Sequence, residues 1–257
     1  MVELKTPAEI ARISRGGTII ADLFDELEPR IIPGISTAAL DVFAEEFIRS
    51  HKGAVPVFKG LYGFPAAVCT SINEEIVHGI PSADRILNEG DIISVDVGVE
   101  LNGWCSDSAR TFPVGRVSAE VERLLSVTGE ALERAVEAAG ALGHVGDIGH
   151  AVERVVEGTG FSIVRDLVGH GVGRKVHEEP QVPNFGKSGT GPLLRAGMVL
   201  AIEPMISMGS HEIRTLADRW TLATADGSVS AHFEHTVALT GEGARVLTHD
   251  APGVEVQ

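Results

Sequence analysis

The sequence predicts an α+β fold built from two related halves, each running helix, helix, then strands around a mostly antiparallel curved sheet. Three observations predict it. Helix-start signals followed by apolar residues at helical spacing occur twice, near residues 6 and 36 and again near 118 and 147. Strand-like, turn-rich sequence follows each pair of helices, to about Gly115 and about Leu247. Two blocks also recur in the same order: Val77 to Pro81 is echoed by Val176 to Pro180, and Ile86 to Asp96 by Leu193 to Glu203. In both longer blocks an acid ends an apolar run six residues after a glycine, Asp96 after Gly90 and Glu203 after Gly197. Halves of about 1–115 and 116–247, each short of apolar surface, are expected to pack as one domain over residues 1–257, with the site where they meet.

Thr6, Pro7 and Glu9 read as N-cap, first-turn proline and capping-box acid of the first helix. Ile10, Ile13, Ile20, Leu23, Phe24 and Leu27 form its apolar face, and Pro29 and Pro33-Gly34 end it. Ser36 starts a second helix, with Leu40, Phe43, Phe47 and Ile48 inward and Gly53 beyond its end. In the second half Ser118 caps a helix carrying Val121, Leu124, Leu125, Leu132 and Val136. A break from Gly140 to Gly146 follows, then a shorter helix from Asp147 carrying Ile148, Val152 and Val155.

Hydrophobic residues at 44% and charged residues at 22% are the proportions of a globular chain with a core. Thirty-six acidic against 21 basic residues give a net charge of -15, which repels phosphate backbones and argues against direct DNA binding. Cys69 and Cys105 are too few for a disulfide framework or a cysteine-based zinc finger. No apolar run approaches the ~18 residues of a membrane span. The opening residues MVELKTPAEI lack both regions of a secretory signal, so a cytoplasmic protein is expected.

The chemistry concentrates in residues 92–112. Asn102-Gly103 is a two-residue hairpin turn, and with that turn facing positions sum to 205. Asp96 then faces Ala109 and Asp107 faces Gly98, so the two acids are diagonal neighbours on one face, repelling each other without a cation. Glu203, in AIEPM, and Glu234, in AHFEHTVAL, take corresponding places in the second half, with Asp226-Gly227 between them as a hairpin turn signal. Oxygen ligands of this kind suit a divalent ion, and an imidazole shifts the preference toward Mn, Fe, Co or Zn. His170, between Gly169 and Gly171, supplies one where the backbone is free to approach a ligand closely. The spacing of Gly169, Gly171 and Gly173 is not that of a dinucleotide-binding turn. Four carboxylates balance two divalent ions, a pairing known to activate water and polarise a carbonyl.

These segments resemble the type I methionine aminopeptidases, of the pita-bread fold. The resemblance runs through CTSINEEIVHGIP (69–81), VDVGVELNGWCSDSARTF (95–112), GHGVGRKVHEEP (169–180), AIEPM (201–205), DRWT (218–221) and FEHTVAL (233–239). It implies a hydrolase removing N-terminal methionine when the second residue is small. Asp96, Asp107, His170, Glu203 and Glu234 are then the ligands of two divalent ions (Co, Mn, Fe or Zn), with Asp107 and Glu234 bridging. His78 orients the peptide near its first amide, His177 stabilises the scissile carbonyl, and Glu203 takes the proton of the attacking water. Phe58, Leu61, Phe64, Cys69 and Trp220 line the methionine pocket. Leu61 stands where a Tyr is usual and Val176 where a Phe is common, so a wider, less aromatic pocket is expected. The 25 residues between His177 and Glu203 leave no room for the helical insertion of type II members.

The resemblance also implies nascent polypeptides as partners, a monomer, and no membrane. Ribosome association through a local basic patch is compatible with it, though the sequence displays no such patch. A proline-directed aminopeptidase or prolidase on the same fold uses the same five ligands. Such enzymes usually carry a preceding domain, whereas this first half begins near residue 6. A non-catalytic binding protein of the same shape typically loses ligands, and here all five are present.

Overall fold

A computed structural model describes residues 2–140 and 142–249; at Met1, Ala141 and 250–257 the expected 1–257 domain lies outside the described residues. The first helix, α1, spans Pro7–Leu27. Thr6 Oγ1 accepts from Glu9 N while the Glu9 carboxylate accepts from Thr6 N at 2.9 Å, a reciprocal cap. The face read from spacing is buried from Ile10 to Leu27. Helix α2, Thr37–Ser50, is capped by Ser36 and sends Leu40 and Ile48 into the same core, with Phe43 and Phe47 packed at its edge.

In the second half α3 spans Ala119–Ala138, capped by Ser118, and α4 spans Val145–Val156. Helix α4 thus begins two residues before the expected Asp147. The Asp147 carboxylate accepts from His144 N at 2.6 Å, and from Ser188 Oγ and Gly189 N at 2.6 and 2.8 Å. It is the capping acid one half-turn inside the helix, not the first residue.

Strand Ile92–Leu101 centres the first sheet. Trp104–Pro113 runs antiparallel along one edge, and Val68–Ile72 and Ala54–Pro56 lie end to end along the other. Asn102 and Gly103, at φ 51° and 81°, form the mirror-image turn that a right-twisted hairpin prefers, and the pairs sum to 205 as expected. The five-stranded sheet of the second half runs in the order Gly243–Val246, His235–Thr240, Val199–Ile202, Val168–Gly171, Glu178–Pro183. Two isolated bridges repeat the internal symmetry. Ser36 pairs with Ile86 and His144 with Leu193, each joining a helix cap to the start of the repeated block. One hydrophobic cluster lies under α1 and α2, a second under α3 and α4.

A seam of hydroxyls joins the halves. Thr236 Oγ1 accepts from Asp107 N at 2.9 Å and donates to Asp107 O at 2.7 Å. Thr111 Oγ1 treats His232 the same way, at 2.9 and 2.8 Å. Ser108 Oγ donates to Glu234 O, and Glu234 N donates to Ala109 O at 2.8 Å. Buried backbone groups need such partners, and satisfying them here presses the strand of Asp107 against the segment of Glu234. Helix α1 covers the other side. Gly17 is required there, because a Cβ would lie 2.1 Å from Leu247 O.

Asp226-Gly227 does not close a hairpin. Leu222–Thr224 pairs with Glu75–Val77 and Ile213–Thr215, whereas Ser230–His232 pairs with Met205–Ser207, in a different sheet. The Asp226 carboxylate instead ties a corner, accepting from Ser210 N, Ser228 N and Ser228 Oγ.

Candidate active site

Asp96 and Asp107 arrive on the two arms of the first hairpin, Glu203 just after Val199–Ile202, and Glu234 just before His235–Thr240. His170 comes from Val168–Gly171, which pairs with Val199–Ile202. The structure brings these five side chains together. Ligand atoms of Asp96, Asp107 and Glu234 lie within 4.8 Å of one another, as do those of His170, Glu203 and Glu234. His170 Nε2 is 3.4 Å from Glu203 Oε1 and 3.8 Å from Asp107 Oδ2. The flanking glycines serve a purpose beyond the one expected. A Cβ at Gly169 would lie 2.3 Å from Ala201 O and one at Gly171 2.2 Å from Glu179 O, so both admit the neighbouring strands, and Gly169 also lines the cavity beside His170.

Electrostatically the cluster is unfinished. Burial, first of all, and then the neighbouring carboxylates push Asp107 and Glu234 well above the usual carboxylate range. Burial and Asp96 do the same to Glu203, and burial alone raises Asp96 to about 7. Among the described residues no lysine or arginine forms an ion pair with any of the four. Asp96 Oδ1, Asp107 Oδ1 and Glu234 Oε1 are buried without a hydrogen-bond partner. His170 Nδ1 lies 3.0 Å from Gly171 O, which can only accept, so the proton sits on Nδ1 and the Nε2 lone pair faces the acids. Four buried carboxylates, three orphaned oxygens and one oriented imidazole fit a divalent metal site.

The cluster floors a cavity of about 540 Å³, a size suited to a small ligand. Phe58, Leu61, Phe64, Cys69, His78, His177 and Trp220 all line it. Cys69 faces Asp96 across the sheet, and burial keeps its thiol protonated. Phe64 and Trp220 meet edge to face at 5.2 Å, and Asp218 anchors Trp220 by accepting from the backbone N–H groups of Trp220 and Thr221. His78 takes a left-handed φ of 60° at the end of Glu75–Val77. Burial lowers the pKa of both His78 and His177, leaving neutral imidazoles.

Val176, where a Phe is common, is 2% exposed, packs in the cluster of Phe58 and Phe64 and does not line the cavity, so no side chain takes the place of that aromatic. Among the wall residues that escaped the sequence reading, two bear on the chemistry. Tyr62, held at φ 52°, stacks parallel on His177 with ring centroids 6.0 Å apart. His232, 2% exposed, has its Nε2 3.7 Å from Glu203 Oε2. Its position two residues before Glu234 was a usable signal, since alternate residues of an extended segment share a face; Tyr62, a rim residue between Gly60 and Gly63, gave none.

A fold of this topology, with acids and an imidazole buried at the floor of an apolar pocket, defines a metallopeptidase. Residues 11–241 match metallopeptidase family M24, and the chain belongs to that family. Within it the chain falls with the methionine aminopeptidases. A methionine aminopeptidase of Clostridium perfringens is 51% identical over 96% of this chain and 99% of its own length. The crystal structure of the methionine aminopeptidase from Thermotoga maritima superposes with a TM-score of 0.95 at 42% identity, covering 97% of this chain and all of its own. A prolidase from Pyrococcus horikoshii shares the fold, with a TM-score of 0.78, at 22% identity and 64% of its own length.

The raised carboxylates set a pH dependence for the metal-free protein. Below about pH 6.5 the unfolded chain protonates histidines that the fold keeps neutral, which offsets the protons held by the buried acids. Above that value the acids and the buried thiols of Cys69 and Cys105 differ, and for all of them the folded state binds more protons than the unfolded one. The stability of the protonated acids is therefore lost as pH rises through their folded values, from about 7 for Asp96 upward. Chelator-treated protein should melt at a lower temperature at pH 8.5 than at pH 6.5, and added Mn²⁺ should abolish the difference. A metal-free melting temperature that holds level or climbs over that range contradicts the electrostatic picture.

Proposed function

We propose that this chain removes the N-terminal methionine from peptides and nascent proteins when the second residue is small, acting as one catalytic unit and as a monomer. The observation that carries this reading is the junction of an apolar, thioether-sized pocket with a buried cluster of four carboxylates and His170. Asp96, Asp107, His170, Glu203 and Glu234 would hold two divalent ions, Co, Mn, Fe or Zn, with Asp107 and Glu234 shared. When bound, these ions supply Lewis acidity that lowers the pKa of water and polarises a carbonyl.

The protein's own groups do the rest. Leu61, Phe64, Cys69 and Trp220 receive the methionine side chain, whose flexible thioether fills irregular apolar space and favours aromatic contacts. The acid-rich floor attracts the free amine. His78 orients the first amide, and its neighbourhood crowds a large second residue. Neutral His177 donates an N–H to the scissile carbonyl oxygen as negative charge develops there. Glu203 accepts the proton of the attacking water. Work on nascent chains in the cytoplasm agrees with the net charge of -15, which disfavours DNA, and with the finding that among the described residues no helix is long and apolar enough to cross a membrane.

The test is a panel of X-Ala-Ser and Met-X-Ser tripeptides at constant metal. Met should lead, with Gly, Ala or Ser favoured second. Apolar pockets separate near-isosteres by only about 1–3 kcal/mol, so norleucine should be cleaved detectably while Lys and Asp are not. Leu61→Tyr should reduce any leakage toward first-position Leu or Phe. Preference for an X-Pro peptide or for Leu over Met refutes the proposed specificity.

A further inference from the structure

We propose that His232 is a positioning residue for Glu203, its Nε2–H holding one carboxylate oxygen so that the other stays aimed at the metal site. This rests on the reading of Glu203 as metal ligand and proton acceptor. The Glu203 carboxylate lies between two imidazoles, one for each oxygen: Oε1 is 3.4 Å from His170 Nε2, and Oε2 is 3.7 Å from His232 Nε2. The two rings differ in what their other nitrogen does. His170 Nδ1 is engaged by Gly171 O, which makes its Nε2 a lone-pair donor toward a cation. Neither nitrogen of His232 has a hydrogen-bond partner, although the residue is 2% exposed and faces the cavity.

Leaving a buried polar group without a partner is costly, so a partner is expected in the working enzyme. Glu203 Oε2 is placed to be that partner. The gap exceeds the ~3.2 Å limit of an N–H···O bond by about half an ångström, which a small side-chain rotation closes. The rest of His232 cannot drift. Thr111 Oγ1 holds both its N–H and its carbonyl, and the strand pairs it with Met205. Glu203 itself is otherwise anchored through its backbone, by Asn184 Nδ2 to Glu203 O at 2.9 Å. The carboxylate orientation therefore depends on His232.

The experiment uses the metal-loaded enzyme and three variants. Gln in His232→Gln places an amide N–H near the position of Nε2, His232→Leu keeps bulk without a donor, and His232→Asn keeps polarity but falls short of Glu203. Mn²⁺ affinity is measured by calorimetry, and kcat and KM are measured on Met-Ala-Ser. Outer-shell partners of metal ligands typically govern affinity or activity by roughly 10–100-fold. The Leu and Asn variants should lose that factor in Mn²⁺ affinity and in kcat with KM little changed, while Gln stays within a few-fold of wild type. Leu and Asn variants equal to wild type overturn the proposal. So does a Gln variant that melts like wild type yet loses as much as Leu, since shape and not the donor would then matter. Wild-type protein that neither takes up Mn²⁺ nor cleaves Met-Ala-Ser identifies a different failure, that of the underlying metal-site reading, and removes the proposal with it.

Discussion

Asp107→Asn should strip the protein of metal and abolish turnover while stabilising the metal-free fold. The substitution keeps shape and size. The backbone of Asp107 stays clamped by Thr236 on both its N–H and its carbonyl, so the strand has no reason to move. What changes is charge. In the metal-free state burial and the proximity of Asp96 and Glu203 work against the Asp107 carboxylate, and a neutral amide relieves that conflict. In the loaded state the same anion is proposed to be shared by both ions, and its loss leaves four positive charges facing three carboxylates. The affinity loss should exceed the roughly 10–100-fold typical of outer-shell partners. Melting curves of chelated wild type and variant at pH 8.5, with metal analysis and kcat, test both halves. A variant that keeps wild-type metal content and wild-type kcat rules out Asp107 as a shared ligand.

His177→Ala is the second large effect, of a different kind. Its ring nitrogens come within 4.8 Å of ligand atoms of Asp107 and His170, so proximity alone permits a role as ligand. The packing favours another role. The ring stands edge to face against His170 with centroids 4.5 Å apart and stacks parallel to Tyr62 at 6.0 Å. This fixes its plane while leaving it neutral through burial, the condition for an N–H donor to a developing oxyanion. The variant should retain its metal and its melting temperature and lose about 10²–10³ in kcat. If metal content falls with activity, His177 belongs among the ligands.

Much of this was legible in the chain because local rules govern it. Thr6, Ser36 and Ser118 announce helix starts through cap chemistry that acts within one turn. Asn102-Gly103 sets the register of the hairpin, and register sets which side chains share a face, so the diagonal placement of Asp96 and Asp107 followed from the turn alone. The internal repeat pointed to Glu203 and Glu234, the glycine-flanked His170 offered the imidazole, and motif resemblance supplied His78 and His177.

Other features depended on what packs against what. The role of Gly169 and Gly171 is decided by Ala201 and Glu179, remote in sequence. Asp226-Gly227 has the residues of a hairpin turn, yet its flanking strands found partners in two different sheets. Val176 stands where a Phe is common but packs in the core without lining the cavity. His232 becomes chemically interesting only because Glu203 ends nearby with one oxygen turned toward it. The sequence by itself determined the caps at Thr6, Ser36 and Ser118, the hairpin register and the identity of the five candidate ligands, since each rests on interactions a few residues apart or on a motif written in order. Only the tertiary structure decided that Tyr62 and His232 join the cavity wall, how the hydroxyl seam of Thr111 and Thr236 joins the two halves, and which buried groups are left without partners. Those properties come from desolvation and from contacts more than a hundred residues apart, and neither is encoded in local spacing.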